Sequence, residues 1–316
     1  MIPPEMINLI GSELGAKNIT YIEKDLYLQG LLLELEKSRY FREKFTFKGG
    51  TCLTKAYFGY YRFSEDLDFT WIRQEDFKAK SEKAVRRMLS GEITQLLELY
   101  ESAAKRLGLD FLPHKHERRY TEFGSSNRFA TFKFWYKASD SSEAFIKIQV
   151  NFLEELIEKP VKMPLLPLTP QLSESLGLEY PQYCALATKT AMLYCYTLKE
   201  IGAEKARAML TRRGFKARDI IDLYYLSTKG ITIQTEKQAI IRKTIFMLKY
   251  LKYKENLKKK KFEGQFTLGT EEKLMLTKPD TNMQQFADMT LQELSRLAQE
   301  VRAAAFAQTR TTSSTL

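Results

Sequence analysis

Residues 46–69 read TFKGGTCLTKAYFGYYRFSEDLDF. The β-prone FTF at 45–47 ends in two glycines, which predicts a strand running into a tight turn. TCLTKAYFGYY then reads as a helix opened by Thr51, and LDFTWI as a second strand. A strand that turns through Gly49-Gly50 into a helix aims backbone N–H groups and a helix N-terminus at one point, and glycine lets an anion approach the backbone. Asp66 and Asp68 stand two residues apart on the next strand, so they share a face at about 6–7 Å. Two carboxylates so placed repel unless a cation sits between them. Mg²⁺ meets that need, because it takes carboxylate oxygens together with substrate phosphate. A lone glycine turn is common, and a lone Asp-x-Asp is usually a solvated strand edge. Side by side in an apolar frame, they form a phosphate cradle next to a paired-carboxylate metal site, the equipment nucleotidyl transfer needs.

The rest of the chain reads as follows. Residues 21–39 carry Leu26, Leu28, Leu31, Leu32, Leu33 and Leu35 at helical spacing. Residues 75–107 form a long amphipathic helix, with Gly91 a candidate break. FATFKFWYKA at 129–138 and FIKIQVNF at 145–152 alternate as strands. Ile146, Ile148 and Val150 therefore face one way, and Lys147, Gln149 and Asn151 the other. PVKMPLLPLTP at 160–170 holds four prolines, which argues against regular structure and marks a domain junction. AMLYCY at 191–196 is a strand or buried segment. Thr197 with Glu200 three residues on is a capping-box pattern, opening a helix that presents Ile201, Lys205, Ala208 and Arg212 along one side. ARDIIDLYYLS starts another helix, and 233–307 read as helical and polar-rich.

The 316 residues suffice for one large or two ordinary domains. Three widely spaced cysteines, Cys52, Cys184 and Cys195, suggest a reducing compartment with no disulfide framework. No apolar run reaches the ~18–20 residues a membrane span needs. The N-terminus lacks a signal-peptide pattern, so a cytoplasmic location is expected. The net charge of +11 makes polyanions, nucleic acid among them, plausible partners. RRYTEFGSSNRFATFKFWYK at 118–137 mixes cations and aromatics in a way that suits RNA, but a half-buried strand pair explains it equally well. His114 and His116 read as surface loop residues, and lysines 258–261 as a solvated helix end.

FKGGTCLTKAYFGYYRFSEDLDF resembles the first motif of the AbiEii/AbiGii toxin family, a branch of the DNA polymerase β-like nucleotidyltransferases. IEKDLYLQGLLLEL at 22–35 is similar to that family's N-terminal Glu-Lys-Asp helix. GAEKARAMLTRRGFKARDIIDLYYL at 202–226 is similar to its late Lys…Arg…Arg-Asp-x-x-Asp-Leu motif. Three blocks in the expected order are far more specific than one. The resemblance implies an α/β (α+β) fold. A polymerase-β-like domain with a mixed sheet and an N-terminal helix would span 1–165. A mainly helical domain completing a cleft would span 166–308, followed by a disordered tail at 309–316.

By resemblance, Gly49, Gly50, Thr51 and Ser64 hold the nucleotide phosphates, Asp66 and Asp68 hold Mg²⁺, Lys205 contacts the triphosphate and Asp219 completes the site. Arg212, Arg218 and Asp222 are weaker candidates, since an Arg–Asp pair as readily braces two helices. Without the resemblance, Lys205 would read as an exposed helical lysine. One departure stands out. Such enzymes often carry a third carboxylate on a later strand, where this chain has Gln149, so Asp219 becomes the candidate base. The implied function is that of a toxin in a toxin–antitoxin or abortive-infection system. It would move nucleotides from an NTP to RNA, tRNA foremost, and have an antitoxin partner. The alternatives are transfer to a protein or small molecule, and a catalytically silent NTP- or RNA-binding protein.

Overall fold

Seven strands make one mixed sheet: β1 (Phe45–Lys48), β2 (Asp66–Trp71), β3 (Thr121–Gly124), β4 (Phe129–Lys137), β5 (Glu143–Asn151), β6 (Val161–Leu165) and β7 (Ala191–Cys195). Their order is β3-β4-β5-β2-β1-β7-β6. β2 runs parallel to β5 and β1 to β7, and the other neighbours are antiparallel. The computed structural model describes every residue except 17, 125–127, 263–265, 279 and 312–316, and leaves out the side chains of 306–311.

Period-two alternation gives the sheet its two faces. Leu67, Phe69, Phe132, Phe134, Ile146, Ile148 and Val150 are almost wholly buried on one face. Asp66, Asp68, Lys147, Gln149 and Asn151 lie half-buried on the other. The first compact unit comprises Met1–Tyr196 and Lys273–Thr277. Its helices are α1 (Pro4–Leu14), α2 (Ile19–Lys37), α3 (Arg39–Lys44), α4 (Gly49–Leu53), α5 (Glu82–Leu107), α6 (Ser173–Glu179) and α7 (Cys184–Thr188). α2 is buried nearly all round, taking Glu23, Asp25 and Gln29 with its leucines, and packs on α5, α7, β5 and β7. α5 buries the stripe Leu89, Ile93, Leu96, Leu97, Tyr100, Ala103 and Ala104.

Several expected boundaries differ. The helix after Gly-Gly opens at Gly49 rather than Thr51, and its last turn widens into a π-helical segment, Thr54–Phe58. α5 starts at Glu82, where the Ser81 hydroxyl accepts from the Ala84 N–H, and Gly91 does not interrupt it. The proline-rich segment is not irregular: 161–165 form β6, paired antiparallel with β7. Pro164 is tolerated there because β6 is an edge strand, where a missing N–H costs no ladder bond. The compact units accordingly part after Tyr196 and not at the prolines.

The second unit comprises Thr197–Glu272 and Lys278–Leu316. It is helical: α8 (Leu198–Thr211), α9 (Ala217–Ser227), α10 (Lys237–Met247), α11 (Leu251–Lys259) and α12 (Met283–Thr311). Thr197 caps α8 as expected, its hydroxyl accepting from the Glu200 N–H at 3.2 Å. The Glu200 carboxylate is buried against Lys243 on α10 at 2.6 Å. Residues 233–307 are not continuously helical, since 273–277 return to the first unit, where Met275 bridges Arg62. Of the expected tail, 309–311 continue the backbone of α12, and 312–316 lie outside the described residues.

Candidate active site

The turn between β1 and α4 is fixed by its contacts. Gly49 has φ +80°, a left-handed conformation that costs a residue with a Cβ about 1–2 kcal/mol. A Cβ there would lie 2.5 Å from Asp68 Oδ2, so the backbone of Gly49 rests against that carboxylate. A Cβ on Gly50 would run into the guanidinium of the buried Arg62 and stand 3.3 Å from Ser64 Oγ. The cradle and the carboxylate pair are therefore in direct contact.

Thr51 is buried, and its hydroxyl lies 2.8 Å from Ser64 Oγ and 2.5 Å from the Asp66 carbonyl. A carbonyl has no proton to give, so Thr51 donates to it and accepts from Ser64. That chain ties α4 to the start of β2. Thr51 and Ser64, expected to touch the nucleotide, here brace the turn.

Register brings the other strand into play. Asp66 pairs with Lys147 and Asp68 with Gln149 across β2 and β5, so Gln149 stands beside Asp68 on the carboxylate face. Gln149 Nε2 donates to the Thr131 hydroxyl at 3.3 Å. Asp66 Oδ1 is buried without a hydrogen bond. Lys147 Nζ lies 3.3 Å away, close enough to pair in charge but not aligned to donate. Among the described residues, no three His, Cys, Asp or Glu side chains gather as a metal site. A buried carboxylate oxygen without a hydrogen bond and a pair of same-face aspartates fit an ion that draws its other ligands from water and substrate phosphate, as Mg²⁺ does.

The sequence reading missed several neighbours. Lys48 is opposite Asp68 in the β1–β2 register and pairs with the buried Glu154 at 3.4 Å. Glu154 also accepts from Asn151 at 2.8 Å. Glu154 is an acid close to this face, but it is committed to Lys48 and Asn151. The Glu23-Lys24-Asp25 stretch of α2 clamps the motif from behind. Asp25 and Gln29 hold the wholly buried Lys55 of the π-helical turn at 2.9 and 3.0 Å. Burial pushes the Lys55 ammonium below its ordinary pKa even with Asp25 beside it. Lys24 pairs with Glu65, next to Asp66, at 3.1 Å, and Glu23 accepts from the Ser139 N–H and hydroxyl. The sequence signals for this clamp were a run of charges on a leucine-rich helix and that helix's likeness to the family's Glu-Lys-Asp block.

The second unit gathers the late motif. Lys205 on α8 contacts Asp219 at 3.0 Å and Asp222 at 2.5 Å, both on α9, and Arg212 contacts Asp219 at 2.8 Å. Burial alone would raise the Asp219 pKa, but Lys205 and Arg212 outweigh it and hold the carboxyl below its usual range. Its conjugate base is thus weak. Arg218 pairs instead with Glu271 at 3.5 Å. His114 and His116 are exposed.

Gly49→Ala tests the cradle directly. We expect a loss of about 1–3 kcal/mol from left-handed strain and displacement of Asp68, with transfer reduced at least tenfold. Thermal unfolding alongside an activity assay checks this. Unchanged activity would mean that the contact between Gly49 and Asp68 is not needed.

A mixed sheet that carries a glycine-backed aspartate pair suits a nucleotidyltransferase fold. A family model described as nucleotidyl transferase AbiEii toxin, type IV TA system, matches residues 32–308, and the chain belongs to that family. A comparison with curated proteins found no match. The family assignment makes the chain an enzyme of the nucleotidyltransferase class and a type IV toxin, for which an antitoxin partner is implied. Among the described residues, no helix is long and apolar enough to cross a membrane.

Proposed function

We propose that the protein transfers a nucleotide from an NTP to an RNA acceptor, tRNA foremost, in the cytoplasm. The observation that carries this reading is the Gly49 backbone seated against Asp68 at the carboxylate pair. An acceptor hydroxyl forms a bond to the α-phosphorus while the α–β phosphate bond breaks and pyrophosphate departs. Gly49 and Gly50 leave room for phosphate at the backbone. Asp66 and Asp68 would hold Mg²⁺, which when bound would offset phosphate charge and ease loss of the hydroxyl proton to solvent water. Lys205 supplies a cation for the triphosphate, and Asp219, a weak base in its present company, orients that lysine together with Asp222. The net charge of +11 favours an RNA acceptor over an acidic protein.

Incubation with each radiolabelled NTP, Mg²⁺ and total tRNA tests the proposal. Labelled RNA is the expected result. Label on protein or on a small molecule would redirect the acceptor, and no label with any NTP would leave a silent binding protein.

Gln149→Glu probes the departure from three carboxylates. Placing a third charge beside Asp68 should lower the Mg²⁺ concentration needed for half-maximal rate. An unchanged Mg²⁺ dependence would show that position 149 does not reach the ion.

A further inference from the structure

The positive charge of this chain is concentrated at one end. Residues 1–196 carry 27 Lys and Arg against 26 Asp and Glu, while residues 197–316 carry 23 against 13. Within the latter, 249–261 hold seven lysines and a single acid, Glu255, and the loop from α8 to α9 reads RRGFKAR at 212–218.

The fold stitches these two basic segments together. Asn256 Nδ2 donates to the Thr211 carbonyl at 2.9 Å, and Lys260 Nζ to the carbonyls of Arg212 and Arg213 at 2.9 and 3.4 Å. The Lys260 ammonium also sits 3.7 Å from the centre of the Phe215 ring. Phe215 packs on Phe262 at 5.7 Å and is 38% exposed. Lys260 has a structural task, closing the C-terminal end of α8 where free carbonyls favour a cation. That task explains neither the exposed cations around it nor the open aromatic ring. Arg213, Lys216, Lys259 and Lys261 are exposed, and among the described residues none forms a close ion pair with a carboxylate, although Asp219 and Glu271 act on Lys216 from further off. Burial first, and then Arg212 close by, push Lys260 down to about 8 against the opposite pull of Asp219.

We propose that Arg213, Phe215, Lys216, Lys259 and Lys261 form a single-stranded RNA-binding surface, the cations meeting backbone phosphates and Phe215 stacking on an unpaired base. Cations flanking an exposed aromatic ring are the general means of holding a single strand without reading its sequence. An acidic protein would satisfy the charges but has no special use for the open ring. This inference rests on the RNA reading above and adds the surface that engages the strand.

The test uses the full chain with total tRNA, binding followed by fluorescence anisotropy across a salt series. In the double variant Arg213→Ala/Lys216→Ala, Kd should rise at least tenfold near 0.1 M salt. The slope of log affinity against log salt should also become shallower by about 1.4, as two single-strand phosphate contacts are lost. Phe215→Ala should raise Kd by about tenfold with the slope unchanged, because stacking releases no counterions. The KM for NTP should hold in both variants. RNA affinity and slope unchanged in both variants would overturn the proposal while leaving the RNA reading intact. So would loss of binding to the antitoxin alone. Failure of the wild-type chain to bind or label any RNA would instead remove the RNA reading, and this surface with it.

Discussion

Asp68→Asn should reduce nucleotide transfer by about 10³-fold or more while leaving the melting temperature within a few degrees of the wild type. The two effects separate because the residue's shape is kept and only its charge is lost. Asparagine fits the same space against Gly49, and removing one of two like charges on a strand face relieves repulsion. Asp66→Asn should behave alike, with one difference. Asp66 Oδ1 faces Lys147 at 3.3 Å, so that variant also leaves the lysine without its charge partner. Excess Mg²⁺ should not rescue either variant, since what is missing is a ligand and not occupancy. Loss of a charge that acts mainly in the transition state typically costs 10²–10³ or more in rate. Near-normal transfer at saturating Mg²⁺ would show that the pair does not hold the ion. A collapse in melting temperature would show that the carboxylates are structural.

The face that carries this site was legible because strand alternation depends on few variables. The apolar set Ile146, Ile148 and Val150 fixed which way Lys147, Gln149 and Asn151 point, and the parallel pairing with β2 then set Gln149 beside Asp68. The present partners of Thr51 were illegible for the opposite reason. A hydroxyl after a glycine turn looks the same in sequence whether it meets a phosphate or a neighbouring hydroxyl, and here Ser64 and the Asp66 carbonyl claim it. β6 was missed because proline content argues against interior strands, and edge position cannot be read from local sequence. The Lys48–Glu154 pair and the clamp of Asp25 on Lys55 join residues 106 and 30 positions apart, separations at which no periodicity speaks. Lys205 was read as a lysine for substrate alone, and the carboxylates that bracket it give it a second role.

Lys205→Ala should therefore act on stability as well as on rate. The ammonium lies between Asp219 and Asp222, whose side chains are 4% and 0% exposed. Removing one partner of a buried ion pair strands the other, at a cost of about 3–5 kcal/mol. The sign of the pH dependence follows from Asp219. In the wild type its carboxyl is held below the ordinary value by Lys205 and Arg212 against the pull of burial. Its contribution to stability is thus present above the unfolded carboxylate's pKa of about 4 and is lost as pH falls through the lower folded value. Without Lys205, burial acts against Arg212 alone and the folded pKa rises, so the variant loses most at neutral pH. The stability gap should narrow as pH falls toward 4, where the Asp219 carboxyl of the variant takes up a proton. Denaturant unfolding at pH 7, 5 and 4 measures that gap. Kinetics well below the variant's melting temperature isolate the chemistry, and there KM for NTP should rise and kcat fall. A gap that does not change with pH would mean the aspartates do not depend on Lys205 for their charge. Wild-type kinetics in a destabilised but folded variant would make Lys205 a brace between α8 and α9, and the triphosphate would need another cation.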